Sequence, residues 1–328
     1  MTARNTDHHG TAFTISVDAA EGTTTGISTG DRLKTVLDLA DPTKKAEDFL
    51  RPGHMFPLIA KKGGVLERRG HTEAAVDLAK LCGFEPVGVI MEILNQDGTM
   101  ARRDDLFEFC EEHNLKIITV DELILYRKKN EKLVKNEADV RIPTKFGEFE
   151  FVGYSDQIEN KEYLAIIKGD VRGKENVTVR LHSECLTGDA LGSARCDCGD
   201  QYDAAMKEIA KKGRGILVYL RQEGRGIGLI NKLRAYELQD AGMDTVEANI
   251  ALGFDADLRD YSVGAQILKD LGAHDLDIMT NNPEKIEGLE SYGITVHSRI
   301  PIEVEHKDSC KKYMQTKKEK MGHILNKV

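Results

Sequence analysis

The sequence predicts an α/β protein of two domains, each a mixed α+β sheet with packed helices. Period-two apolar runs alternate along the chain with stretches of helical periodicity. Two of those stretches stop on a glycine, Gly242 and Gly272, as helices do. The composition changes once, across YRKKNEKLVKNEADVRIPT from Tyr126 to Thr144. That charged stretch reads as a helix tail running into a linker, and the boundary is set near Asp139, giving domains 1–138 and 139–328.

In the first domain Phe13, Ile15 and Val17 alternate, which predicts a half-buried strand over Thr11 to Asp18. Thr29 to Ala40 reads as a helix with Asp31 in its first turn. Ala75, Leu78, Ala79 and Cys82 share one face of a helix over Thr72 to Cys82. Pro86 to Leu94 and Lys116 to Val120 read as strands, with a helix over Asp104 to His113 between them. The second domain opens with an antiparallel pair, Glu148 to Ser155 and Glu162 to Lys168. Strands follow at Asn176 to Glu184, Ile216 to Arg221, Leu276 to Thr280 and Ile294 to Ser298. Helices cover Asp200 to Lys212, Leu229 to Ala241 and Val263 to Leu271, and a short one follows Pro283.

The 328 residues are 40% hydrophobic and 31% charged, a soluble globular balance. No apolar run is long enough for a membrane span, and Met1 to Gly10 is too polar for a secretory signal. A net charge of −9 gives no nucleic-acid footprint, so an anionic ligand needs a local nest of Arg and Lys. Six cysteines, three of them clustered, do not make a disulfide framework, and a reducing cytoplasm fits them better.

The densest chemistry is HSECLTGDALGSARCDCGDQ, from His182 to Gln201. Cys185 ends a predicted strand, and Cys196 and Cys198 lie one residue apart. Three thiolates suit Zn²⁺ and leave one tetrahedral position for water, as in a catalytic site. A structural zinc completed by His182 or Cys310 is the competing reading. RQEGRGIGL, from Arg221 to Leu229, sits between a strand and a helix. Its glycines allow close backbone approach, the helix start offers N–H groups to an anion, and Arg225 offers a bidentate donor. A plain strand-to-helix turn remains the alternative there. The Asp255, Asp257, Arg259 and Asp260 cluster could equally be a solvated helix start, and TNNPEK a turn or a ligand edge.

Together these segments, with RLHSECLTGDALGSARCDCGDQ, TVEAN, LGFDADLRDY and TNNPEK at consistent spacing, resemble GTP cyclohydrolase II from about Arg141 to Val328. The resemblance implies one zinc ion per chain on Cys185, Cys196 and Cys198. It implies a GTP site of Arg180, Leu181, His182, Ser183, Glu184, Gln201, Glu223, Gly224, Arg225, Thr245, Thr280 and Lys285. Asp257 would be a proton acceptor, Arg259 would act at the α-phosphate, and Tyr236 would lie near the reacting base. The implied reaction opens the guanine ring of GTP, releasing formate and pyrophosphate, with Mg²⁺ helping at the phosphates. A homodimer is implied as well. A non-catalytic guanine-nucleotide-binding protein with a structural zinc is the reading from another class.

Residues 8 to 134 resemble the 3,4-dihydroxy-2-butanone 4-phosphate synthase domain, through HGTAFTISVDAAEGTTTGIS, DFLRPGHMFPL, GGVLERRGHTEA and VIMEILNQDGTMAR. The implied substrate is ribulose 5-phosphate. His71 and Glu92 match a Mg²⁺-ligand or catalytic pair, Arg68, Gly70 and Thr72 a phosphate and sugar contact, and His54 an essential residue. An ordinary loop histidine and a water-facing strand residue are the plain readings of His54 and Glu92. The acidic Mg²⁺ loop of this family lies ahead of the matched region, and nothing from Met1 to Asp31 replaces it. The expectation is a first half that does not run the synthase reaction unaided, or a true start upstream and a fully bifunctional enzyme.

Overall fold

The computed structural model describes residues 5–8, 10–304 and 310–326. The chain divides into two compact units between Arg127 and Lys128. The first unit contains β1 (Val17–Ala19), α1 (Thr29–Ala40), β2 (Phe49–Met55), α2 (His71–Leu81) and α3 (Arg103–Glu112), and α4 (Val120–Asn130) reaches its end. Ser28 caps α1 by accepting from the Asp31 backbone N–H at 3.1 Å.

The only sheet among the described residues of this unit is the antiparallel pair β1–β2. The expected strand over 11–18 shrinks to β1 and an isolated bridge between Phe13 and Leu58. The segments 86–94 and 116–120 run without a ladder, apart from a bridge between Leu94 and Met100. Their composition fits a pleated surface, but a strand also needs a neighbour for its N–H and C=O groups. The apolar side chains there stay exposed, Met91 to 81%. Helix α2 forms as predicted, with its burial reversed. Glu73 and Asp77 face inward, while Leu78 and Cys82 face out. The inward carboxylates are held by Arg68 (2.6 Å) and Arg127 (2.7 Å), so burial here follows ion pairing rather than hydropathy.

The second unit carries a seven-stranded mixed sheet, in the order β3–β4–β5–β7–β6–β8–β9. Its strands are β3 (Val134–Thr144), β4 (Gly147–Asp156), β5 (Glu162–Lys168), β6 (Val177–Ser183), β7 (Gly215–Leu220), β8 (Asp275–Met279) and β9 (Thr295–Ile300). β3 to β7 pair antiparallel, and β7, β6, β8 and β9 run parallel. Of the charged stretch read as a helix tail running into a linker, Tyr126 to Asn130 does close α4, but Val134–Thr144 is β3, so a boundary at Asp139 falls inside a strand. It is an edge strand paired only with β4, and its exposed face tolerates Lys, Glu and Asn.

The helices are α5 (Leu186–Asp189), α6 (Cys198–Lys212), α7 (Leu229–Asp240), α8 (Thr245–Ala251), α9 (Ser262–Asp270), α10 (Pro283–Ser291) and α11 (Lys311–Lys320). Alternation along the central strands splits the core over two faces. Val177, Val179 and Leu181 of β6 pack with Ala265 and Leu268 of α9 and Leu289 of α10. Leu217 of β7 faces the other way, onto Ala205, Met206 and Ile209 of α6. The parallel strands β6, β7 and β8 therefore end together, and the loops after them open one crevice.

Candidate active site and metal centre

β6 delivers Cys185, and the start of α6 delivers Cys196 and Cys198. Their sulfurs lie within 4.8 Å of one another, with Cys185 and Cys196 3.6 Å apart. A turn through Gly188 makes this convergence fit. A Cβ there would press on the Cys196 and Cys185 sulfurs at 2.9 and 3.2 Å, a space only glycine leaves open. Neither competing fourth ligand joins the set. His182 Nε2 faces both oxygens of Asp189 at 3.0 Å, and Cys310 packs with Met314 and Leu325. Asp189 also accepts from the Cys185 backbone N–H (3.0 Å) and the Tyr219 hydroxyl (2.8 Å), so one carboxylate orients strand end, imidazole and first thiol.

The thiols respond to each other. Hydrogen bonding from Cys196 and Cys198 pushes the Cys185 thiol far down, helped by Lys232, whose Nζ lies 3.1 Å from its sulfur. The same contact with Cys185 pushes Cys196 up to about 11, and Cys198 is pushed well up. Three thiolates this close need a cation among them. That donor set fits a soft divalent metal.

The cysteine triad forms one wall of a cavity of about 1020 Å³ open to solvent. Arg180 of β6 reaches across it, donating to the Met279 carbonyl (2.9 Å) and to Gln201 Oε1 (2.5 Å), with Nε unpartnered. His182 Nδ1 and Ser183 Oγ are buried without partners, and burial keeps the imidazole pKa low. Glu184 pairs with Arg221 at 3.0 Å. After β7, Gly224 and Arg225 both take φ +62°, which turns the Arg225 guanidinium inward with both terminal nitrogens unpartnered. Glu223 accepts from the Leu186 N–H and from Lys232, each at 2.7 Å, tying this turn to the cysteine loop. Thr245 opens α8 behind an Asp244 cap, and Tyr236 lines the cavity with its ring 5.7 Å from Lys232 Nζ.

After β8, Thr280 accepts from the Asn282 N–H at 3.0 Å, and Lys285 donates to the Leu181 carbonyl at 2.8 Å. Burial, with Arg180 and Arg259 nearby, holds the Lys285 ammonium pKa well below its usual value. Two predicted contacts do not line the cavity. The Leu181 side chain is wholly buried in the core, and only its carbonyl points this way. Asp257 sits behind Arg259 and grips it through Nε at 2.9 Å. Sequence reasoning missed Gln222, Lys232, Asn249, Tyr313, Lys317, Met321 and His323, which line the cavity too. Lys232 follows the Gly-rich turn by one helical turn, the one signal that could have found it.

In the first unit His54 is held by Asp18, through its ring Nδ1 at 2.7 Å and its backbone N–H at 2.9 Å. Burial opposes ionisation of Asp18, but the hydrogen bonds of His54 keep its pKa below the ordinary value. Arg68 is committed to Glu73, Gly70 caps α2, and His71 and Thr72 begin that helix. Glu92 lies exposed on the unpaired 86–94 segment. Among the described residues the cysteine triad is the one cluster of three or more metal-binding side chains, and neither His71 nor Glu92 belongs to such a cluster.

The GTP cyclohydrolase II family model matches residues 135–301, and the 3,4-dihydroxy-2-butanone 4-phosphate synthase model matches residues 1–126. The chain is similar to the riboflavin biosynthesis protein RibBA of Bacillus mycoides, at 58% identity over 326 residues, covering 99% of this chain and 82% of that one. The RibBA protein of Bacillus cytotoxicus gives the same identity and coverage. Among solved structures it is similar to RibBX, a two-domain 3,4-dihydroxy-2-butanone 4-phosphate synthase from A. baumannii. The TM-score is 0.61 at 34% identity, covering 92% of this chain and 79% of that one. Among the described residues, no helix is long and apolar enough to cross a membrane. The two halves and the cysteine triad thus converge on one assignment: the chain belongs to the family of bifunctional riboflavin biosynthesis enzymes, a 3,4-dihydroxy-2-butanone 4-phosphate synthase domain followed by a GTP cyclohydrolase II domain.

Proposed function

We propose that the second domain binds GTP in the cavity beside the cysteine triad and hydrolyses it to 2,5-diamino-6-(5-phosphoribosylamino)pyrimidin-4-one, formate and pyrophosphate. One zinc ion per chain on Cys185, Cys196 and Cys198 belongs to this reading. When bound, zinc supplies the Lewis acidity that lets water act as a nucleophile at neutral pH. The observation that carries the proposal is a wall of three converged sulfurs facing buried cationic nitrogens that have no protein partner.

The side chains divide the work. Arg225 and Arg180 line the cavity with unpartnered N–H groups that an anion would fill, and Lys285 lines it as well. Arg259, seated on Asp257, is placed to stabilise charge on a phosphate as it transfers; burial works against its charge, but Asp257 raises its pKa above the ordinary value. The Glu223–Lys232 pair fixes the Gly-rich turn against the cysteine loop. Mg²⁺ is assigned to the phosphates of the substrate.

The test is formate release from GTP by the full chain, before and after zinc chelation. GTP binding without formate would favour the non-catalytic nucleotide-binding reading. For the first domain the proposed substrate is ribulose 5-phosphate with Mg²⁺, and formate released from that sugar checks it separately. A homodimer and cytoplasmic residence complete the proposal, supported by the kinship with bacterial riboflavin enzymes; sedimentation of the full chain tests the dimer.

A further inference from the structure

The GTP cyclohydrolase II match ends at residue 301, yet Tyr313, Lys317, Met321 and His323 line the same cavity as the cysteines. Three contacts fix this C-terminal segment, each to an element that carries a predicted site residue. Lys317 Nζ donates to Asp197 Oδ1 at 2.6 Å, and Asp197 is the residue between Cys196 and Cys198. Lys320 pairs with Asp244, the cap of the helix that opens on Thr245, and with Glu247 at 3.0 Å. The Ile324 N–H donates to the Asn281 carbonyl at 2.8 Å, beside Thr280.

The first contact reaches furthest. The Asp197 side chain is 1% exposed, and Lys317 is its only cationic partner within ion-pair distance among the described residues. Its second oxygen accepts from Gln201 Nε2 at 2.5 Å, and Gln201 Oε1 accepts from Arg180 at 2.5 Å. A relay therefore runs from α11 through Asp197 to the two-cysteine turn and to the arginine that spans the cavity. A buried carboxylate that loses its cation must find water, a proton or a new place. Each of those moves the turn that carries two of the three sulfurs.

We propose that α11 and its tail form a strap closing one wall of the cavity, and that Lys317 is a positioning residue for the metal centre, acting through Asp197. The proposal rests on reading the three cysteines as the metal site. Lys317 lines the cavity, and its action on the metal centre runs through the turn it holds. Removing it loosens metal binding and lowers turnover together, and any rise in the KM for GTP, passed on through Gln201 and Arg180, accompanies the loss of zinc affinity. Outer partners of metal ligands typically contribute about 10–100-fold to metal affinity or activity.

The experiment uses the full chain and three variants: Lys317→Met, Lys317→Arg, and Lys317→Met combined with Asp197→Asn. Zinc affinity is measured by chelator competition, which needs no turnover, and kcat and KM are measured with GTP. Lys317→Met should lose about 10–100-fold in zinc affinity, with kcat falling alongside. Lys317→Arg should recover most of it. The double variant, with no buried charge left unpaired, should lie between Lys317→Met and the wild type. It carries the test if Lys317→Met does not fold. Wild-type zinc affinity in Lys317→Met, or in the double variant, overturns the proposal. So does a raised KM with unchanged zinc affinity, which would make Lys317 a substrate contact. A wild type that binds zinc but releases no formate from GTP sinks the proposed reaction and leaves the zinc comparison to judge the strap. A wild type that binds no zinc removes both.

Discussion

Replacing Asp257 by Asn, alone and together with Arg259 by Lys, separates two roles for one carboxylate. The family resemblance implies a proton acceptor, whereas the geometry makes Asp257 the seat of Arg259. Oδ1 accepts from the Arg259 backbone N–H at 3.0 Å and from Nε at 2.9 Å, while Oδ2 accepts from Nε at 3.0 Å and from a terminal nitrogen. Both oxygens are committed. Burial raises the Asp257 pKa, but hydrogen bonds and charge from Arg259 outweigh it and hold the carboxyl below its ordinary value. Such a group is a weak base at neutral pH. Asparagine keeps the Oδ1 contacts and turns the other position into a donor facing the guanidinium. The loss is a charge-assisted hydrogen bond of about 1.5–3 kcal/mol. If all of it falls on the transition state, kcat drops roughly 10- to 150-fold. Loss of a general base costs about 10²- to 10⁴-fold, so the single variant does not discriminate. A double-mutant cycle does. With formate release from GTP as the assay, Asp257→Asn/Arg259→Lys should be no slower than Arg259→Lys alone. Losses that multiply would refute the seating role and restore an independent proton acceptor.

Cys196→Ser should abolish bound zinc and GTP turnover while the far-ultraviolet circular dichroism stays native; retained turnover would falsify the metal assignment. In the first unit Arg127→Met leaves Asp77, with a side chain 3% exposed, without its cation, and should destabilise that unit by about 3–5 kcal/mol in a denaturant titration; a loss under about 1 kcal/mol, the surface-pair range, would contradict the burial argument. His323 should make the C-terminal segment acid-sensitive. Burial, reinforced by Lys317, pushes its pKa from 6.5 down to about 3, so the unfolded chain takes up a proton below pH 6.5 that the folded chain refuses until about pH 3. Its contribution is complete above pH 6.5 and is lost as pH falls toward 3; His323→Asn should flatten that slope in melting curves, and an unchanged slope would show the imidazole to be solvated.

Elements whose signals are local were legible. β5 follows from its alternation, and α9 and α10 from a glycine stop and an Asn-Pro start. β3 was not legible, because an edge strand with one neighbour needs no apolar face and its charges mimic a linker. On α2 the hydrophobic stripe is only half-buried, since Glu73 and Asp77 are drawn inward by Arg68, five residues before Glu73, and by Arg127, fifty residues after Asp77. The site divides on the same line. The cysteine cluster and the Gly-rich turn are contiguous motifs, so residue type and spacing expose them. Lys317 meets Asp197 across 120 positions, and no local pattern records that meeting.

The pairing of the cavity's cations sorts their duties. Lys232, Arg259 and Lys317 each have a carboxylate, in Glu223, Asp257 and Asp197, and each pair ties a different loop into place. For Lys232 and Lys317 the charge is compensated inside the protein and the contribution is geometry, whereas Arg259 is gripped so that its guanidinium stands where a phosphate would meet it. Arg180, Arg225 and Lys285 have no carboxylate partner among the described residues. Arg180 and Lys285 rest on neutral oxygens, and the terminal nitrogens of Arg225 on none. Their charge is the excess that a chain of net charge −9 concentrates at the ends of β6, β7 and β8. Burying an ammonium beside two guanidinium groups disfavours its charged form, as the direction of the Lys285 shift shows. An anion bound there would reverse that cost and fill the open donors in one step. The polyphosphate of the proposed substrate has the charge and the acceptors to do both, and the paired cations around it hold the metal wall in register while it does.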